Sequence, residues 1–338
     1  MRRGFERILA MQTGGWIGDM VLLTPALRAL KRRYPRSHLA LLVNPLVERL
    51  MMRNPYVDEM IVYDKRGKDR GLKGFIEMAA RLRKRRFDLA LIFHPNSVRS
   101  ALLALAAGVP ERVGSNASMR GLLLTRSIPD EKWIHEVERY LRVTRLAGAE
   151  GEGRLEFWHG EEERRYIRRL LKEEGIDPGK PLVAVNPFTT WPSKRWEAGR
   201  FAELIRRLKA DLGVQVVLTG SEEDLEEAER IASLSRAHPL ILAGRTDVFQ
   251  LGALLEICDL LITPDSAPMH IAAAVGTPTV ALFGPTSPLR HGPYGEGHTV
   301  LHHPPPCSPC YNTYCRDRKC MLSITVDEVL EAVRRALG

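Results

Sequence analysis

At 338 residues the chain exceeds what one hydrophobic core usually fills, so two domains of roughly 150 to 180 residues each are expected. The net charge of +9 hides an asymmetry: residues 1–150 carry 28 basic against 15 acidic side chains, and the remainder 22 against 26. No run of about 18 apolar residues occurs, the start MRRGFERILAMQ lacks the apolar core of a signal peptide, and four of the five cysteines sit in one C-terminal cluster, so a membrane-spanning protein and a secreted disulfide scaffold are disfavoured and a cytoplasmic protein is expected.

In chain order, residues 7–11 read as a buried strand, 14–18 as a loop, 20–33 as a helix and 38–43 as the next strand, which is one β-α-β unit. Apolar strands at 60–62 and 89–93 alternate with helical patterns at 74–83 and 98–107, the signature of an open, Rossmann-like sheet covered on both faces. The stretch 146–160 is rich in Gly and Glu with little periodicity and is assigned the interdomain linker, dividing the chain into 1–150 and 151–338. The pattern then restarts: helix 161–174, strand 182–186, helix 198–211, strand 214–219, helix 222–233, strand 240–242, helix 248–258, strand 260–263, strand 279–283 and a closing helix 326–337. Tandem α/β domains predict a cleft between two facing sheets, with ligand held where strand carboxyl ends meet.

The most informative stretch is 262–286, ITPDSAPMHIAAAVGTPTVALFGPT. A strand breaks at Thr263-Pro264, presents Asp265, Ser266 and His270, and enters a helix of small residues, whose N-terminus offers backbone N–H groups and a positive dipole end to an anion. The segment from Asn186 to Trp196 likewise lies between a strand and a helix. Its Thr189, Thr190, Ser193, Lys194 and Arg195 suit a diphosphate, or form an ordinary capped surface loop. The acids of 219–224 would meet ribose hydroxyls or merely occupy a first helical turn, the latter being commoner. In the first half, the loop from Gln12 to Asp19 sets glycines where backbone must approach a ligand and puts a carboxylate at a helix start, either as an N-cap or as a general base. It is not G-x-G-x-x-G, and no acid follows the second strand at Val43-Asn44-Pro45, so a dinucleotide site is disfavoured.

Cys307, Cys310, Cys315 and Cys320 have the spacing C-x2-C-x4-C-x4-C, compact enough to converge on one structural Zn2+; two local disulfides and reduced thiols are the competing readings. Cys258 lies in an apolar helix and reads as core.

Taken together, Gly15-Trp16-Ile17-Gly18-Asp19-Met20, His94-Pro95-Asn96-Ser97 with the turn at Gly108-Val109-Pro110, Thr189-Thr190 with Ser193-Lys194-Arg195-Trp196, and Asp265-Ser266-Ala267-Pro268-Met269-His270 resemble the family 9 glycosyltransferases, the ADP-heptose:lipopolysaccharide heptosyltransferases, over nearly the whole chain. The resemblance implies a GT-B fold: two Rossmann-like domains facing across a cleft, acceptor-binding in 1–150 and donor-binding in 151–338. It implies that Asp19 deprotonates an acceptor hydroxyl, that heptose is transferred with inversion and without a catalytic cofactor or metal, and that Lys194 stabilises the departing ADP. Thr189 and Thr190 would bind phosphate, Asp265 and His270 would hold the donor, and Ser193, Ser266, Ala267 and Pro268 would belong to the same donor site. Gly15, Trp16, Gly18 and Asn96 would form an acceptor-side loop. Ala267 stands where many members have Gly, and its methyl narrows the backbone approach to phosphate.

The expected partners are an ADP-sugar and the anionic lipopolysaccharide precursor, with no nucleic acid, and the expected state is a monomer at the cytoplasmic face of the inner membrane. The basic first half fits such a surface, since each cation near an anionic bilayer is worth about 1 kcal/mol. The alternatives are transfer of another sugar or to another core position, a nucleotide-sugar epimerase of the same fold, which would need no basic acceptor surface, and a non-catalytic glycolipid- or nucleic-acid-binding protein, which would leave Lys194 and Asp265 without a purpose.

Overall fold

The run Arg7–Gln12 has no polar face to offer water, and it becomes the middle of a sheet: β1 is buried from Ile8 onward. It pairs in parallel with β2 (His38–Val43) through Arg7↔His38 and with β4 (Leu89–Ile92) through Ile8↔Leu89. With β3 (Glu59–Val62), β5 (Glu111–Ser115) and β6 (Arg126–Ile128), the order is β3-β2-β1-β4-β5-β6, all parallel. The computed structural model describes residues 4–94, 96–131 and 133–338, and the chain divides after Leu155 into two compact units, of which this sheet is the first. Right-handed crossovers running in opposite directions from β1 and β4 put their helices on opposite faces. Helix Ile17–Arg33 packs with helix Glu136–Leu146, whereas helix Gly71–Lys84 packs with helix Val98–Ala106, which in turn meets the 3-10 segment Ala117–Leu123.

The second unit, Glu156–Gly338, repeats the plan. Its strands β7 (Leu182–Val185), β8 (Gln215–Leu218), β9 (Leu240–Ile241), β10 (Leu260–Pro264), β11 (Thr279–Phe283) and β12 (Thr299–His302) are ordered β12-β11-β10-β7-β8-β9, which is the first sheet's order over again. Helices Ala198–Leu212, Leu225–Ser235 and Val326–Leu337 form one layer, and Glu161–Glu173, Val248–Ile257 and Ala267–Val275 form the other. Both sheets are tied at their amino ends by the same device. The carboxylate of Asp88, just before β4, accepts from the Glu6 and Arg7 amides at 2.8 and 3.1 Å, and that of Asp259, just before β10, accepts from the Leu182 amide at 2.7 Å. Each satisfies an orphan donor at the start of the central strand.

The structure departs from the sequence expectations at the sheet edges. β5, β6 and β12 are strands the periodicity does not reveal: they are short and partly exposed, so polar side chains interrupt their apolar pattern. Helix Glu136–Leu146 is hidden for a different reason, since it buries Arg139 beside Glu136 and so reads as too polar for a core-facing helix. The first helix begins a turn earlier than expected, at Ile17, which places Asp19 inside its first turn rather than at the cap.

Gly74 shows how tightly helix Gly71–Lys84 is seated. An added Cβ would lie 2.3 Å from both the carbonyl carbon and the oxygen of Asp69. Asp69 has little room to move, because its amide donates to the Asp64 carbonyl at 3.0 Å and its carboxylate accepts from the Asp64 amide at 2.8 Å. Ala gains about 1 kcal/mol over Gly in a helix interior, but overpacking against backbone costs roughly 1–3 kcal/mol. Gly74→Ala is therefore expected to lower stability by about 1–2 kcal/mol, read as a lower urea midpoint; a raised midpoint would mean that the Asp69 turn yields.

Candidate active site

In the second unit β7 and β10 are neighbours at the point where strand order reverses, so the helices that follow them leave on opposite faces and open a crevice at the strand ends. Asn186, directly after β7, stitches this edge: its Nδ2 donates to the Phe188 carbonyl at 3.0 Å and lies 3.4 and 3.5 Å from the hydroxyls of Thr263 and Ser266. The 3-10 turn Pro192–Lys194 brings the chain back over β10, and Lys194 Nζ meets Asp265 Oδ2 at 2.7 Å. Thr286 Oγ1, beyond β11, donates to the same oxygen at 2.7 Å. The ammonium also stands 4.6 Å from the centre of the Trp191 ring, a cation–π contact that fixes its stem.

Asp265 is 6% exposed. Burial pushes its carboxyl up, but the charge and hydrogen bond of Lys194, the Thr286 hydroxyl and the nearby His291 outweigh burial and hold it below the ordinary carboxylate range. Asp265 therefore stays ionised and pins an ammonium that has further N–H donors to offer. Ser266 is the extended N-cap of helix Ala267–Val275, Ala267 is its first residue, and Pro268 follows in the first turn without an N–H of its own. Lys194 and the backbone at this helix start together form a cationic, partly dehydrated edge suited to a phosphate group.

The remaining residues expected at the donor site fall in different surroundings. Thr189 is half-buried with Oγ1 3.5 Å from the Asp265 carbonyl, and Thr190 is exposed. Ser193 is buried and its hydroxyl donates to the Asn312 carbonyl at 2.6 Å, so it is spent on anchoring the C-terminal loop. His270 is buried one turn into the helix. Trp191 and Thr286 are the participants the sequence reading did not single out. Thr286 closes the stretch 262–286, and its position after a strand's carboxyl end is the signal that would have found it.

In the first unit the reversal lies between β1 and β4. The loop after β1 is packed too tightly for side chains: a Cβ on Gly14 would meet the His94 ring at 2.4 Å, and one on Gly15 would meet Met20 Cε at 2.5 Å. Gly18 is buried and Trp16 is half exposed. Asp19 is partly buried, and its Oδ2 accepts from the Trp16 amide at 2.7 Å, half of a capping box that fixes the carboxylate at the strand's carboxyl end. Asn96 is exposed, and its amide donates to His94 Nδ1 at 3.3 Å; Pro95 lies outside the described residues.

Around this loop stand cations that the sequence reading passed over. Lys65 Nζ donates to Thr13 Oγ1 at 3.1 Å. Arg120, 1% exposed, donates through Nε to the Ser115 carbonyl and through Nη1 to the His94 carbonyl, while its buried Nη2 makes no hydrogen bond among the described residues. Burial, reinforced by Lys65, Arg120 and Arg139, drives His94 down to about 4, so the imidazole is neutral at pH 7. Burial and Arg139 bring Arg120 down to about 10, still charged. Arg120 was missed because β5, which positions it, was not recognised.

The cysteine cluster corrects an expectation. Among the described residues no three His, Cys, Asp or Glu side chains gather as a metal-ligand set, and all five thiols are free. Cys320 is packed into the core, where its Sγ would lie 3.0 Å from a Cβ on Gly284, and the Cys310 amide is tied to the Pro285 carbonyl at 3.0 Å, while Cys307 and Cys315 are exposed. The four thiols sit in unlike surroundings, from core to solvent, the Zn2+ expected from the spacing is not supported, and neither local disulfide forms.

The description glycosyltransferase family 9 (heptosyltransferase) matches residues 75–321. Lipopolysaccharide heptosyltransferase 2 of Escherichia coli K12 is 33% identical over 294 residues, covering 81% of each chain. Among solved structures, the glycosyl transferase family 9 protein from Veillonella parvula superposes with a TM-score of 0.85 at 27% identity, covering 100% of this chain and 98% of that one. The E. coli ADP-heptose lps heptosyltransferase II superposes at 0.74 with 29% identity over 98% of each chain. With its two doubly wound parallel sheets, the chain is an enzyme of GT-B fold and belongs to glycosyltransferase family 9, the heptosyltransferase family.

Proposed function

We propose that the enzyme transfers heptose from ADP-heptose to the heptosylated Kdo-lipid A inner core, with inversion and without a metal or other cofactor, at the cytoplasmic face of the inner membrane. The observation that carries the reading is the constellation of a half-buried Lys194 with the buried Asp265 and Thr286, beside a helix N-terminus at the reversal point of the second sheet. In this reading residues 151–338 bind the donor and residues 1–150 the acceptor. Asp19 takes the proton from an acceptor hydroxyl, the freed oxygen bonds to the anomeric carbon, and the bond from that carbon to the phosphate oxygen breaks, its electron pair leaving with ADP. Charge accumulates on the diphosphate as the bond lengthens. Lys194 is the catalytic cation that meets it, Asp265 positions Lys194, and Thr189, Thr190 and the N–H groups at the helix start share the phosphate oxygens. A preorganised donor of this kind is worth roughly 3–4 kcal/mol at the transition state.

On the acceptor side, Lys65 and Arg120 fit the carboxylate and phosphate groups of a Kdo-lipid A core, with Arg120 Nη2 supplying a buried donor that has no hydrogen-bond partner among the described residues.

Transfer is tested by incubating the protein with ADP-heptose and heptosylated Kdo-lipid A and weighing the acceptor, with UDP-glucose as the control donor. A gain of one heptose with ADP-heptose alone is expected. No gain from folded protein that binds ADP would remove this acceptor, and conversion of the donor by itself would favour an epimerase. Asp19→Asn should keep the Trp16 amide bond, the fold and the affinity for ADP, yet lose about 10²–10⁴-fold in kcat; unchanged turnover would discard Asp19 as the base.

The largely desolvated pair also makes a stability prediction. Lys194→Met or Asp265→Asn alone leaves one charge uncompensated and should cost about 3–5 kcal/mol in a urea melt, whereas the double change Lys194→Met/Asp265→Leu should cost far less. Because the folded Asp265 carboxyl is held low, the wild-type ion pair contributes fully above about pH 4, the ordinary value for an unfolded Asp, and its contribution is lost as pH falls through the depressed folded value. Single variants as stable as the double would show that the pair is wetter than its burial implies.

A further inference from the structure

Helices Gly71–Lys84 and Val98–Ala106 lie side by side on one face of the first sheet and carry a feature that transfer chemistry does not require. Their sheet-facing sides are closed by Gly74, Met78 and Leu82 and by Ala101 and Ala104. On the opposite sides, Leu72 and Ile76 follow the i, i+4 spacing, and Val98, Leu102 and Leu105 follow i, i+4, i+7, so each helix turns a second apolar stripe to solvent. Leu72 is 73% exposed, and Leu122, on the adjoining 3-10 segment, is 87% exposed. Scattered exposed leucines need no explanation, but stripes on contiguous helices mark a docking surface.

The surroundings of this crest identify its occupant. Residues 65–86 contain ten Lys and Arg against two acids, Asp69 and Glu77, and the cations Lys73, Arg81 and Lys84 are all exposed. Apolar side chains flanked by dense positive charge match a bilayer with anionic headgroups: the charges settle on the phosphates and the leucines enter the acyl boundary. A nucleic acid would use the cations and leave the leucines in water. We infer that this two-helix face is a peripheral docking surface for an anionic lipid bilayer. No helix among the described residues is long and apolar enough to cross a membrane, so attachment by this face is reversible and sensitive to salt.

The inference rests on the proposed function only in placing the acceptor at a bilayer. Its test, flotation of the full chain with vesicles of phosphatidylethanolamine and phosphatidylglycerol or of phosphatidylcholine alone, needs neither donor nor acceptor, so the two readings fail separately. Co-flotation with the anionic vesicles only is expected, with release near 1 M salt, where screening falls to about 3 Å. Leu72→Ser/Ile76→Ser/Leu102→Ser and, independently, Arg81→Gln/Lys84→Gln should each weaken partition about tenfold or more, while both keep the wild-type circular dichroism and turn over detergent-dispersed acceptor. The charge variant keeps the test decisive if the serine variant folds poorly. Absence of wild-type flotation at low salt, or undiminished flotation of the charge variant, would overturn the inference. So would light scattering that shows a wild-type dimer made monomeric by the serine changes while flotation persists, which would assign the face to a second copy of the chain.

Discussion

Two parallel strands lying side by side cannot both be followed by helices on the same face if their crossovers run in opposite directions. That constraint acts twice here, between β1 and β4 and between β7 and β10, and it accounts for where Asp19, Lys194 and Asp265 lie. The loops that part at each reversal expose the carboxyl ends of fully buried strands, the places in an α/β unit where backbone donors, a helix start and a charged side chain meet without a side chain filling the gap. Gly14 and Gly15 at one reversal, and Asn186 with Ser266 at the other, are the local adjustments that keep those gaps open and their walls fixed.

The two units use charge differently because they bury it differently. At the second reversal a single ammonium is held by a single carboxylate inside the protein, where low polarisability makes each contact strong and position matters to a fraction of an ångström. On the outer face of the first unit, eight exposed cations between residues 66 and 86 act in water, individually weak and collectively attractive to any anionic surface. Lys65 and Arg120 fall between these regimes: burial and neighbouring cations push both down, and Arg120, at about 10, keeps its proton at neutral pH.

Long, fully buried elements were legible in the sequence because their apolar runs have no competing pattern, which is why β1, β2, β7, β10 and β11 and the helices between them emerge from periodicity alone. Edge strands such as β6 and β12 were not, because half of each faces water and what sets them in place is a partner strand remote in sequence. The same division holds at the site. Asp265 and Lys194 are marked by strand-to-helix turns, whereas their meeting, across 70 intervening positions, and the arrival of Thr286 at the same oxygen are products of the fold. The cysteine cluster shows the opposite error: four thiols near in sequence stay free and form no metal-ligand set among the described residues, one buried in the core and two exposed to water.

Neither sheet borrows a strand from the other, and the first is complete by Ile128. A ribosome adding about 5–20 residues per second would still need roughly 10–40 s to deliver the second unit after Leu155 has been joined. The topology thus imposes an order of birth: the half with the basic, leucine-crested face has all the strands it needs to fold while the half with Lys194 and Asp265 is still being synthesised.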